Sequence, residues 1–197
     1  MTALLGAGLA LAGMLTGLAW RIPAVERLDR RLFARINEGQ YSTAVDGLLR
    51  LLRPLGTSWG LLGGVLGILL FQGWREAALL LAVAALSGGV ERALKLAVGR
   101  KRPFDTLPGV RMRVPPPTDP SFPSGDASRA WYLASAIAVG LALPAWVAGV
   151  LFGLAGLVSY GRVRGGAHFP ADAWAGSWLG MGMGLIWVAL AGLLSPA

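Results

Sequence analysis

The sequence predicts an all-α, polytopic membrane protein of about six transmembrane helices, with an amphipathic helix lying at the interface. Three observations predict it. Hydrophobic residues make up 55% of the chain, mean hydropathy is +0.60 and only 14% of residues are charged, which leaves too little polar surface for a dissolved domain of 197 residues. Several uncharged runs approach the ~20 apolar residues with which a helix crosses a bilayer while bonding its own backbone groups. The 29 glycines suit close helix contacts in lipid better than a soluble bundle, where glycine weakens helices.

Taken in order, Ala3 to Trp20 is uncharged. It reads as a span and not as a signal peptide, because Met1 and Thr2 supply no positive charge ahead of the apolar core. Arg21 to Arg53 carries seven arginines and four acids, with Val25, Leu28, Leu32, Phe33 and Ile36 at near-helical spacing, and reads as the amphipathic interfacial helix. Pro54 to Trp74 is the second span. Ala77 to Val98 is the third and admits Glu91, Arg92 and Lys95 near its end. Glu91 and Arg92 read as a buried structural pair, although charge inside a membrane is a functional hypothesis by default. No charge occurs from Ala130 to Gly161, a run too long for one ordinary span, and Pro144 breaks it near the middle. Two short helices back to back account for it. Ala173 to Leu194 makes the sixth span, and residues 1–197 form one domain with no internal repeat. The eight tryptophans read as interfacial anchors and core.

With no cysteine and one histidine, His168, thiol nucleophiles, zinc–thiolate sites and multi-histidine metal centres are excluded. Oxygen ligands for magnesium remain formally available from aspartates, but the reading calls for no metal and no cofactor. The net charge of +8 in a membrane protein points to anionic headgroups or phosphates before nucleic acid, and no nucleic-acid motif is present.

Six spans place the end of span three, the start of span four, the end of span five and the start of span six on one side. That side collects Lys95 and Arg102, then Ser124 to Asp126, then Arg162, then His168 and Asp172. Three cations, the single histidine, two acids and a Ser-Gly turn therefore share one membrane surface.

These residues fall into three motifs. Lys95 is followed after six residues by Arg102 and Pro103; Pro123, Ser124 and Gly125 precede Asp126; and Arg162 is followed after five residues by His168 and, after three more, by Asp172. In order and spacing the chain resembles the type 2 phosphatidic acid phosphatases, which share a site with vanadium-dependent haloperoxidases and bacterial acid phosphatases. The resemblance implies an integral-membrane lipid phosphatase or diphosphatase acting on an isoprenoid (di)phosphate or a phospholipid phosphate. Lys95, Arg102 and Arg162 would balance charge on the phosphoryl oxygens, and the Ser124 and Gly125 N–H groups at a helix start would add donors. His168 would be the nucleophile, forming a phosphohistidine, with Asp172 holding its ring. Pro170 suits the first turn of the helix presenting Asp172.

Two positions depart from the family pattern. Gly161 stands where the family has a serine before Arg162, and Asp126 stands where it has the histidine that protonates the leaving oxygen. Three accounts of Asp126 compete: a carboxylic acid does the protonation, the leaving group needs little help, or the enzyme is impaired. A leaving phosphate is far less basic than an alkoxide, so the second account tilts the reading toward isoprenoid diphosphates. The bland readings are a Lys95–Glu91 pair one turn apart and flanking surface charge for Arg164. Seven prolines between Pro103 and Pro123 make the span three to span four connection a stiff loop able to roof the site, with Arg111 and Arg113 either at a headgroup or free at the surface.

The partners implied are the bilayer and a lipid phosphate in it, and the location is a bacterial inner membrane. Basic residues cluster on the site's side, which favours a cytoplasmic site, whereas bacterial relatives that recycle lipid carriers work at the outer face. A phosphotransferase passing the phosphoryl group to an alcohol, an impaired lipid-phosphate binder or transporter, and a small channel are the alternatives. An acceptor-dependence assay separates the first, the intact His168, Asp172 and three cations oppose the second, and the third leaves the motif spacing unexplained.

Overall fold

The computed structural model describes residues 1–39 and 43–194. Among them all regular secondary structure is helical: α1 (Thr2–Gly17), α2 (Pro23–Glu38), α3 (Thr43–Leu52), α4 (Ser58–Phe71), α5 (Trp74–Val98), the single turn α6 (Pro103–Thr106), α7 (Gly125–Gly140), α8 (Ala145–Arg164) and α9 (Pro170–Ala191), with 3₁₀ turns at Leu18–Arg21 and Arg53–Gly56.

Four helical segments, Thr2–Arg21, Trp74–Thr106, Ala145–Arg164 and Pro170–Ala191, are long and apolar enough to cross a bilayer, and Thr43–Gly56 with Ser58–Phe71, bent by 58°, makes a fifth if the pair counts as one. The predicted six spans are not reached on this measure because α7 has only 16 residues. It starts at the site and ends before the Pro144 break, where Pro144 precedes the first residue of α8. α7 is the central helix, buried along Ala127, Ala130, Leu133, Ala134 and Ala138.

What holds α7 in the centre is backbone proximity to α9. A Cβ on Gly184 would stand 2.6 Å from the Ser135 Cβ, and Cβ atoms on Gly176 and Gly180 would run into the Ser124 and Ser128 carbonyls. These glycines recur every four residues, so one face of α9 lies against α7 almost without side chains between them. On the other side of α9, α1 approaches in the same way: a Cβ on Gly6 would lie 2.5 Å from the Gly182 carbonyl. Trp187 and Tyr132 fill the core away from the site, each with its polar atom bonded to α5: Trp187 Nε1 donates to Glu76 O at 3.2 Å and the Tyr132 hydroxyl to Leu80 O at 2.6 Å.

The amphipathic segment differs from the sequence reading. It is two helices, α2 and α3, and the centre of the predicted Arg21–Arg53 helix, residues 40–42, lies outside the described residues. The face of α2 turned to the protein carries Asp29, Phe33 and Asn37, whereas Leu28 and Leu32 are exposed. Phe33 packs edge-on against Phe169 at 5.4 Å, and Asn37 Nδ2 donates to the Arg111 and Arg164 carbonyls, 3.0 Å each.

Candidate active site

A polar cavity of about 310 Å³ opens where α5, α7, α8 and the loop before α9 meet, and Lys95, Arg102, Gly125, Asp126, Arg162 and His168 line it. The remaining predicted residues, Asp172 and Ser124, lie behind this wall with no exposed surface. Local structure explains the gathering. Gly99 adopts the left-handed conformation (φ +60°) and ends α5 just past Lys95, freeing the chain to bring Arg102 back beside it. Pro170 occupies the first turn of α9. Asp172 then accepts from Phe169 N at 2.9 Å, closing the helix start.

Arg102 is held on all sides. It donates to the Ala167 and Asp119 carbonyls at 2.7 Å each and to the Asp119 carboxylate at 2.7 Å, and its Nη1 stands 3.2 Å from His168 Nε2. Lys95 pairs with Glu91 at 2.9 Å, the bland pairing foreseen, and also with Asp119. Burial would raise the Asp119 carboxyl, but Lys95 and Arg102 outweigh it and hold the group down at about 2. A phosphate approaching these two cations therefore competes with a carboxylate already on them.

His168 is buried and its ring is fixed. Nδ1 lies 2.8 Å from the Ser121 carbonyl, so the neutral ring donates there and presents the Nε2 lone pair to Arg102 and the cavity. The expected partner is displaced: Asp172 Oδ2 is 3.8 Å from Nδ1, too far for a hydrogen bond. Asp172 instead accepts from the Ser121 hydroxyl at 2.5 Å and from Arg100 at 2.6 Å. Burial, reinforced by Arg102 and partly opposed by Asp172, pushes the imidazole down to about 4.

The start of α7 corrects the sequence reading in one respect. Ser124 N donates to the Asp172 carbonyl at 3.0 Å, so that N–H is used inside the protein. The Ser124 hydroxyl and Arg162 Nη1, both buried, have no hydrogen-bond partner among the described residues, and Arg162 Nε lies 3.1 Å from Asp126 without hydrogen-bond alignment. At Gly125 a Cβ would come within 2.5 Å of the Glu91 carboxylate, so any larger residue would displace that side chain from Lys95. Asp126 turns both oxygens to guanidiniums: Arg129 at 2.7 Å on one, Arg162 at 3.1 Å and Arg53 at 3.9 Å on the other.

Several charged residues read otherwise in the sequence. Glu91 pairs with Lys95 and, at 3.6 Å, with Arg129 and not with Arg92, which is exposed. Arg164 is no flanking surface charge: it is 2% exposed and donates to Asp46 at 2.9 Å and to the Ile36 and Gly39 carbonyls. Arg113 shares Asp46 at 3.1 Å. The proline-rich loop does contribute to the wall, through Pro117 and Asp119. A Cβ at Gly161 would meet Leu49 at 3.6 Å, an ordinary contact, so the family's serine would fit.

Beside the polar cavity runs an apolar groove of about 520 Å³ between α4, α7 and α8, lined by Gly63 and Gly67, Leu133 and Ile137, and Leu151 and Leu154. The two adjoin along the chain: Arg53 and Arg129 belong to the cavity, and the next residues, Pro54 and Ala130, to the groove.

The family model described as the PAP2 superfamily matches residues 76–194. The undecaprenyl-diphosphatase of Sulfolobus acidocaldarius is 32% identical over 154 residues, covering 76% of this chain and 71% of that protein. The crystal structure of Aquifex aeolicus LpxE superposes with a TM-score of 0.72 at 26% identity, over 81% of this chain and 93% of that one. The fold is also that of a transmembrane PAP2-type phosphatidylglycerolphosphate phosphatase from Bacillus subtilis, with a TM-score of 0.77, 23% identity and coverage of 96% and 94%.

Proposed function

The chain belongs to the PAP2 superfamily, and from that premise we propose that this multi-pass membrane lipid phosphatase hydrolyses an isoprenoid diphosphate through a phosphohistidine on His168. The observation that supports it best is the pairing of an oriented imidazole with cations. Nε2 carries the ring's lone pair, because Nδ1 donates to the Ser121 carbonyl; it accepts from Arg102 Nη1 at 3.2 Å, and Lys95, Arg102 and Arg162 line the same wall.

In the proposed reaction, Nε2 attacks the terminal phosphorus and the P–O bond to the leaving lipid monophosphate breaks. Water then attacks the phosphorus, the P–N bond breaks and inorganic phosphate leaves. Arg162 Nη1 and the Ser124 hydroxyl, buried donors without hydrogen-bond partners among the described residues, would bond the transferring oxygens, with Lys95 and Arg102 completing the charge. Asp126 fits the role of positioning Arg162 better than that of an acid, since both of its oxygens already face guanidiniums. A substrate whose leaving group is itself a phosphate needs no such acid, which favours diphosphates, and the name of the Sulfolobus relative agrees. The adjoining groove would take the hydrocarbon chain. We place this single-domain enzyme in a bacterial inner membrane.

Phosphate release from isoprenyl diphosphate, isoprenyl monophosphate and phosphatidic acid by the detergent-purified protein, with EDTA present, tests the reading. Release that prefers the diphosphate and vanishes in His168→Ala is expected. Activity surviving in His168→Ala, or a preference for monoesters, would overturn the nucleophile or the leaving-group account respectively.

A further inference from the structure

We propose that the interfacial helix α2 belongs to the catalytic apparatus: Asp29, acting through Arg100, is a positioning residue for Asp172, whose charge stands 3.8 Å from the His168 ring. The inference rests on His168 being the nucleophile. Neither Asp29 nor Arg100 belongs to the three sequence motifs, and both are buried, at 4% and 6% exposure, beside an Asp172 at 0%. One Asp29 oxygen accepts from Ala171 N at 2.9 Å, in the first turn of α9, and the other meets Arg100 Nη2 at 2.5 Å. The opposite arm of the same guanidinium, Nη1, reaches Asp172 Oδ1 at 2.6 Å. Trp20 and Phe169 each stack on the guanidinium at 4.3 Å, so it cannot turn away from either carboxylate.

The electrostatics give this chain of contacts a task. Burying charge is costly unless it is paired and hydrogen-bonded, and a lone Arg100–Asp172 pair would satisfy that requirement with no net charge. Sharing Arg100 with a second carboxylate leaves one net negative charge behind the imidazole. The imidazole gains positive charge as Nε2 bonds phosphorus, so the shared guanidinium keeps Asp172 able to stabilise that change. Because Asp29 rides on α2, the same contacts tie the state of the site to the docking of a surface helix on the bundle.

The test is a mutant cycle on the purified full chain, reading phosphate release from isoprenyl diphosphate in detergent micelles. Asp29→Asn keeps the volume and the acceptor for Ala171 N but removes the charge. It is expected to lower kcat about tenfold or more while KM stays within about twofold, the pattern of a lost transition-state interaction. Adding it to Arg100→Gln should lower kcat by no more than about a further twofold, because Asn keeps the acceptor for Ala171 N and the Arg100 contact is already gone. A wild-type kcat in Asp29→Asn, a change confined to KM, or losses that multiply in the double variant would overturn the proposal. If Asp29→Asn does not purify folded, Arg100→Lys replaces it: an ammonium keeps the charge but loses the rigid fork that bridges two carboxylates. A kcat loss of the same size is then expected, and a wild-type kcat overturns the relay. His168→Ala, measured alongside, separates the two failures. If it is inactive while Asp29→Asn is unimpaired, only the relay falls; if it retains activity, the nucleophile reading falls and the relay with it.

Discussion

His168 is set by its neighbours more than by its own chemistry. With the ring buried and Arg102 3.2 Å from Nε2, the imidazole is pushed down from 6.5 to about 4. A depressed value means the ring stays neutral, and Nε2 nucleophilic, as pH falls from 7 until roughly 4; an unperturbed histidine would already be half protonated near 6.5. His168 is the chain's single histidine, so an imidazole NMR titration of the ligand-free protein reads it without ambiguity, and a midpoint near 4 is expected where one near 6.5 would refute the account. The eight candidate site residues stand out in the sequence because they are chemically distinctive and regularly spaced, and six of them line one cavity. Ser121 does not, since its backbone carbonyl does the orienting and a carbonyl has no residue signature. Nor does Arg100, one of three consecutive cations whose spacing alone marks Arg102.

Helices tell a different story from residues. The spans around the site were legible from uncharged runs and Pro144, but the sequence reading of the interfacial helix did not say which side of α2 meets the protein. In a soluble protein the apolar stripe faces the core; at a bilayer Leu28 and Leu32 can face outward, and Asp29 and Asn37 turn inward to bond the start of α9 and the end of α8. A similar inversion gives α4 its use. Gly63 and Gly67 have nothing within 4 Å of a built Cβ, whereas one on Gly64 would stand 2.5 Å from Leu133. Gly63→Leu and Gly67→Leu should therefore fold, with helix propensity slightly improved, while filling the groove. Relative to wild type, kcat/KM for a long-chain isoprenyl diphosphate should fall about tenfold or more and that for a short-chain analogue by less than about twofold. Equal losses on both substrates would remove the groove from substrate binding.

For the whole molecule, the number of spans was the least legible quantity. Composition announces a membrane protein, but whether an apolar helix meets lipid or other helices depends on packing, and α7 is central because the glycines of α9 admit its backbone. Those contacts lie far apart in sequence and leave only an abundance of glycine as their trace. The groove beside the cavity has a consequence for how such an enzyme meets its substrate. Its α4 wall runs for 14 residues, about 21 Å of helix, comparable with much of the ~30 Å hydrocarbon layer, and no charged side chain lines it. A lipid entering there arrives sideways, by diffusion in two dimensions, without leaving the bilayer. The rate then follows the number of substrate molecules per unit area of membrane: in proteoliposomes at fixed total substrate, adding inert phospholipid to the bilayer should slow turnover, whereas diluting the suspension with buffer should leave the rate per enzyme unchanged.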